Sequence, residues 1–136
     1  MTDDPGAGRR PPRPGRAAGQ ARMQDVYGFS GDPDVGPGDF LAYTVDHLFG
    51  DVWNRPGLDI PARRLLSIGV LAALGQSELC DIQFDAAIAN GELTEEQVRE
   101  VVIHLTHYVG WPLGSHLNNS AERVIARRRK AAEKQG

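Results

Sequence analysis

The chain has one cysteine in 136 residues, Cys80. An internal disulfide is therefore impossible, and a two-thiol redox cycle lacks its resolving partner. Aromatic residues make up only 7%, and the net charge is −3. A nucleic-acid surface needs a basic excess interleaved with aromatics, so that partner is not expected. Long apolar runs are missing as well. The longest, Leu65 to Leu74, is broken by Ser67 and falls well short of the ~18 residues of a membrane span. The first residues carry no apolar core of about 7–15 residues, as a secretory signal would. The expectation is a cytoplasmic protein in a reducing compartment, with no membrane partner. The period-two alternation of half-buried strands is also absent.

What is present is an ordinary globular composition, 40% hydrophobic and 24% charged, at a length that suits one domain. Residues 1–38 hold most of the prolines, many glycines and five arginines. Such a segment buries too little surface to offset the entropy of ordering it, so it reads as a flexible arm. Tyr27 and Phe29 are its exceptions, apolar enough to dock on the domain or on a neighbouring subunit.

From residue 39 the pattern becomes helical. Phe40, Leu41, Val45, Leu48 and Phe49 recur at helical spacing before Gly50. After a turn-rich stretch around Trp53, Pro56 and Gly57, Asp59 can cap a second helix with Pro61 in its first turn and Gly75 at its end. That helix is apolar nearly all round and should be central. A third covers about residues 78–89, stopped by Asn90-Gly91. Thr94 and Gln97 form a capping box for the fourth, and Leu93 can staple onto Val98. Gly110-Trp111-Pro112 breaks it and opens a fifth, which fades into Arg127–Lys130. The fold class is all-α, a single domain of five to six helices over residues 39–130, with the arm before it and a polar tail at 131–136.

Three stretches together resemble the carboxymuconolactone decarboxylase family: Phe49-Gly50-Asp51-Val52-Trp53-Asn54-Arg55-Pro56-Gly57-Leu58; Leu65 to Gly75; and Asn90-Gly91 through His104-Leu105 to Tyr108-Val109-Gly110-Trp111-Pro112. The resemblance implies an all-helical domain of the alkylhydroperoxidase D-like type, assembled as a homo-oligomer (trimer or hexamer). The peroxidase branch of that superfamily uses a C-x-x-C pair and a histidine; aligned on Gly91, those positions fall at Gln76, Leu79 and Gln83, and Cys80 is off the motif. The decarboxylase branch needs no metal or organic cofactor. Its members often carry histidine where this chain has Gln83 and glutamate where it has Arg64. Glutamine moves no proton near neutral pH, so the proton shuttle must lie elsewhere.

His104 fills that role on the family match, with Gln83, Tyr108 and Arg64 as orienting groups; His104 and Tyr108 are four apart on one helix face. Arg64 suits a substrate carboxylate through its planar fork. Trp53, Trp111 and His116 are candidate walls of the substrate site. Each has a blander reading: a satisfied helix histidine, a salt-bridged arginine, tryptophans plugging helix ends. His104, His107 and His116 show no metal-binding spacing, so no metal is expected. Glu78 and Asp81 read as an exposed acidic face. The function expected is a cofactor-free lyase or isomerase on a small carboxylated, unsaturated or lactone substrate. A non-catalytic ligand-binding or scaffold protein is the alternative, and peroxide reduction the third reading.

Overall fold

A computed structural model describes residues 14–135, and the parts of the expected arm and tail at 1–13 and 136 lie outside the described residues. By their contacts the residues separate into two units, 1–57 and 58–136.

The first unit holds α1 (Arg16–Tyr27), then α2 (Phe40–Tyr43), which runs on as a π-helical turn (Thr44–Phe49) and a 3₁₀ turn (Val52–Asn54). Composition alone made residues 16–27 part of a flexible arm; they form a helix instead. The reason is contact that composition does not record. The Gly19 backbone lies against the Val45 carbonyl so closely that a Cβ there would overlap it. Arg16 Nη2 donates to Oδ2 of the buried Asp46 at 3.0 Å. Val26 is enclosed, and Tyr27 meets Phe49 edge to face at 5.2 Å. The stretch expected as one regular helix up to Gly50 is also altered. The Gly50 N–H reaches Val45 O, five residues back, at 2.9 Å, and this is the π geometry.

The second unit comprises α3 (Ile60–Ala73), α4 (Ser77–Ala89), α5 (Glu95–Val109) and α6 (Trp111–Gln135). Their ends follow the sequence signals. Asp59 Oδ1 accepts from the Ala62 N–H at 2.9 Å, and Thr94 and Gln97 exchange both bonds of the capping box. Gly75 and Gly91 end α3 and α4 at φ +70°. Ile68, Phe84, Val98, Leu117, Val124 and Ile125 meet in one core, with Leu93 packed against it. α5 and α6 cross closely because Gly114 faces Thr106; any Cβ at Gly114 would overlap the threonine side chain. The helix expected to fade near residue 130 continues to Gln135, held by Arg128 on Asp85 and Arg129 on Glu95. None of the described helices is long and apolar enough to cross a membrane.

α3 is not enclosed on all sides. Arg64, Ile68 and Ala72 form its buried stripe, whereas Leu66, Val70 and Leu74, two positions round, are 62%, 59% and 67% exposed.

Asp81, expected on an exposed acidic face, ties α4 to α6. It accepts two bonds from Arg123 at 2.8 Å each and one from the Ser120 hydroxyl. Burial pushes its pKa up, but Arg123 and Ser120 outweigh burial and hold it below the ordinary carboxylate range. A depressed folded pKa gives stability that is complete above the unfolded value and lost as pH falls through the folded one. Chemical denaturation between pH 7 and pH 2 should therefore show an acid limb below about pH 4 that is shallower in Asp81→Asn.

Candidate active site

The candidate side chains of the second unit gather in three places. The first is a polar knot between α3 and the turn after α4. Arg64 sits on the buried stripe of α3 and is 1% exposed. A guanidinium cannot lose its charge to escape burial, so it needs a counter-ion. Glu92 supplies one: Arg64 Nε and Nη2 donate to its two carboxylate oxygens at 2.7 and 3.0 Å. Nη1 donates to Oε1 of the buried Gln83 at 2.9 Å, and the Asn90 amide donates to Glu92 at 3.0 Å. The planar fork, which would suit a substrate carboxylate, is thus filled by one from the same chain.

The second place is the α3–α5 groove. It holds about 500 Å³ and is walled by Leu65, Leu66, Val101 and Leu105, with Glu100 and His104 as its polar groups. His104 and Glu100 are one turn apart on α5 and share its face. Tyr108 lies a turn further on, its ring centroid 5.1 Å from the His104 ring, and is 79% exposed. Neither Arg64 nor Gln83 contributes to this wall.

The third place is the α5–α6 junction, where His107 and Trp111 pack edge to face at 5.3 Å around a separate groove. His116 is exposed on α6. Trp53, in the first unit, is buried and stacked on Phe49 at 5.8 Å. His47, beside Asp51 at 3.9 Å, is exposed. Cys80 is fully buried in the core, and burial, helped by Asp81, pushes its thiol up to about 11. A thiol held there supplies almost no thiolate at neutral pH. Among the described residues, no three His, Cys, Asp or Glu side chains converge as metal ligands would.

Residues 38–123 match the carboxymuconolactone decarboxylase family. The chain belongs to that family. It is 33% identical over 87 residues to the 4-carboxymuconolactone decarboxylase of Acinetobacter baylyi, a match covering 64% of each chain. It is also 38% identical over 82 residues to the nitrosuccinic acid decarboxylase npaB of Metarhizium robertsii, covering 59% of this chain and 54% of that protein. The chain therefore spans less than two thirds of the length of either relative.

The structure brings Arg64 and Gln83 together, and separately His104 and Tyr108, but of these four only His104 lines the α3–α5 groove. Glu92 and Asn90 were missed by the sequence reading. The available signal was Arg64 itself: it lies four residues before Ile68 and eight before Ala72, on the stripe that must face the core. A charge on such a stripe requires a partner of opposite sign within reach.

Removing one member of a buried ion pair costs about 3–5 kcal/mol, because the other is left uncompensated. Glu92→Ala should accordingly lose close to that amount in urea denaturation. The double change Arg64→Met with Glu92→Leu should lose far less than the sum of the two single changes. Additive losses would mean that the pair is not coupled as its geometry requires.

Proposed function

We propose that the protein is a decarboxylase-type lyase acting on a small carboxylated substrate whose conjugated carbonyl or nitro group accepts the electrons released with CO₂. The observation that carries this reading is His104, a proton carrier on one wall of an apolar groove in a chain of the carboxymuconolactone decarboxylase family. Both relatives bear decarboxylase names.

The chemistry fits the groove. A carboxylate moved from water to surroundings like Leu65, Leu66, Val101 and Leu105 loses hydration, whereas the delocalised anion left by CO₂ loss needs less of it. The bond from carbon to the carboxylate breaks and its electron pair enters the conjugated system, forming an enolate. His104 delivers a proton to carbon and is recharged from solvent. Tyr108 hydrogen-bonds the enolate oxygen. Arg64 and Gln83, bonded to each other and to Glu92 outside the lining of the groove, are given no step in this scheme. Peroxide reduction is disfavoured by the inaccessible, protonated Cys80 thiol.

A second reading, ligand binding without turnover, is favoured by one observation: no lysine or arginine lines the groove to hold a substrate carboxylate. CO₂ release and ultraviolet absorbance, followed together with 4-carboxymuconolactone and with nitrosuccinate, decide between the two. Turnover should fall by about 10²–10⁴-fold in His104→Gln, the usual contribution of a positioned acid–base group. Unchanged turnover in that variant removes His104 from the mechanism, and ligand binding without CO₂ release supports the second reading.

The partner is proposed to be further copies of the same chain. Leu66, Val70 and Leu74 make an apolar ridge along α3 that an isolated chain leaves in water. Light scattering after size exclusion should show an oligomer, and Val70→Glu should shift it to smaller species. A monomeric wild type would contradict the proposal.

A further inference from the structure

We infer that the α5–α6 junction is a second ligand site, separate from the His104 groove, which takes an uncharged flat aromatic molecule bearing a hydrogen-bond donor. The groove holds about 320 Å³, enough for a single substituted ring and near the lower end of ligand sites. Its composition differs from that of the His104 groove. No acidic or basic side chain other than His107 lines it; the polar groups are neutral, among them Thr106, Ser115 and Asn118.

The chemistry of His107 is fixed by its backbone neighbour. Its Nδ1 lies 2.7 Å from the Ile103 carbonyl oxygen. A carbonyl oxygen only accepts, so Nδ1 must carry the proton, and in the neutral ring Nε2 is left as an acceptor. The ring stands edge to face against Trp111, whose indole is 65% exposed. An exposed indole with an apolar neighbour, Ile103, offers a face for another aromatic ring. Trp111, Ser115 and Asn118 recur at i, i+4 and i+7, so the aromatic platform and the neutral polar groups share one face of α6.

The floor is held rigidly. Thr106 is buried, its hydroxyl donates to the Val102 carbonyl at 2.7 Å, and Gly114 brings the two helices into contact beneath it. With the His107 ring neutral, the site therefore presents an aromatic face, one acceptor and adaptable hydroxyl and amide groups on a close-packed base. An anion would meet the Nε2 lone pair with another lone pair and find no counter-charge among the other lining residues. A neutral ring with an N–H or O–H donor satisfies both walls.

The probe is benzamide, with benzoate as the control of nearly the same shape that lacks a donor and carries a charge. Two-dimensional ¹H–¹⁵N spectra of the full chain are titrated with each. Benzamide should shift the Trp111 indole N–H and the Ser115 amide saturably, with a dissociation constant of order 1 mM for so small a molecule. The buried Trp53 indole N–H should stay in place. Benzoate should bind at least about tenfold more weakly. His107→Phe, an exposed position where the aromatic contact survives and the acceptor does not, should weaken benzamide by about tenfold with an unchanged circular dichroism spectrum. The same variant should leave CO₂ release unchanged. Three results would overturn the inference: equal binding of benzamide and benzoate, undiminished benzamide binding in His107→Phe, or no shift at Trp111 at saturating probe because another copy covers the groove.

Discussion

The second unit is organised around one enclosed positive charge. Arg64 projects from α3 into a position that, by its spacing with Ile68 and Ala72, belongs to the core. Nothing in the helix itself can neutralise it. Glu92 does so from the turn after α4, with both oxygens, while Gln83 accepts the remaining arm of the fork from α4. Three segments are thereby pinned to one guanidinium. α4 cannot slide along α3, and the Gly91–Leu93 turn cannot lift, without leaving a bare charge in the interior. The capping box at Thr94 and the seating of Leu93 on the core follow directly from where that turn is held.

This constraint also divides the chemistry of the unit. The fork is closed by an internal carboxylate, and the histidines that line grooves in this unit lie on α5 instead. There the side chains follow helical phase: Glu100, His104 and Tyr108 at intervals of four on one face, Ile103 and His107 on another. The two faces open onto different grooves, one apolar with a proton carrier, the other neutral with a fixed acceptor. One helix thus provides two kinds of surface from residues that alternate along it.

Much of this was legible in the amino-acid order. Asp59, Gly75, Gly91, the Thr94–Gln97 box and Gly110-Trp111-Pro112 fix helix ends by local hydrogen bonding, which depends on neighbours in sequence and can therefore be read from it. The resemblance carried by the three quoted stretches led to the carboxymuconolactone decarboxylase family, whose match over residues 38–123 agrees with it. The misses share a cause. The order of α1 rests on Arg16 meeting Asp46 and Gly19 meeting Val45, contacts across about 30 positions in the first case and 26 in the second that no local window contains. The partnership of Arg64 with Glu92 spans 28. Composition spoke for a loose arm and left Arg64 between a substrate carboxylate and a salt bridge, because both partners were distant in sequence. Similarly, α3 looked central from its apolar content, whereas only its Arg64–Ile68–Ala72 stripe is covered and Leu66, Val70 and Leu74 are exposed.

The π-helical turn at Thr44–Phe49 couples chain length to rotational phase. Each residue of an α-helix turns the chain by about 100°, and a bond to the fifth residue rather than the fourth accommodates one residue more in that turn. Asp46 faces Arg16 and Phe49 faces Tyr27 only with that residue counted in. The segment therefore behaves as a gear with a fixed number of teeth. A one-residue deletion between Thr44 and Phe49 would relax the turn to ordinary α geometry and, in the same step, rotate what lies beyond it out of mesh with α1. Exchanging residues here leaves the rotational phase intact, whereas changing their number does not.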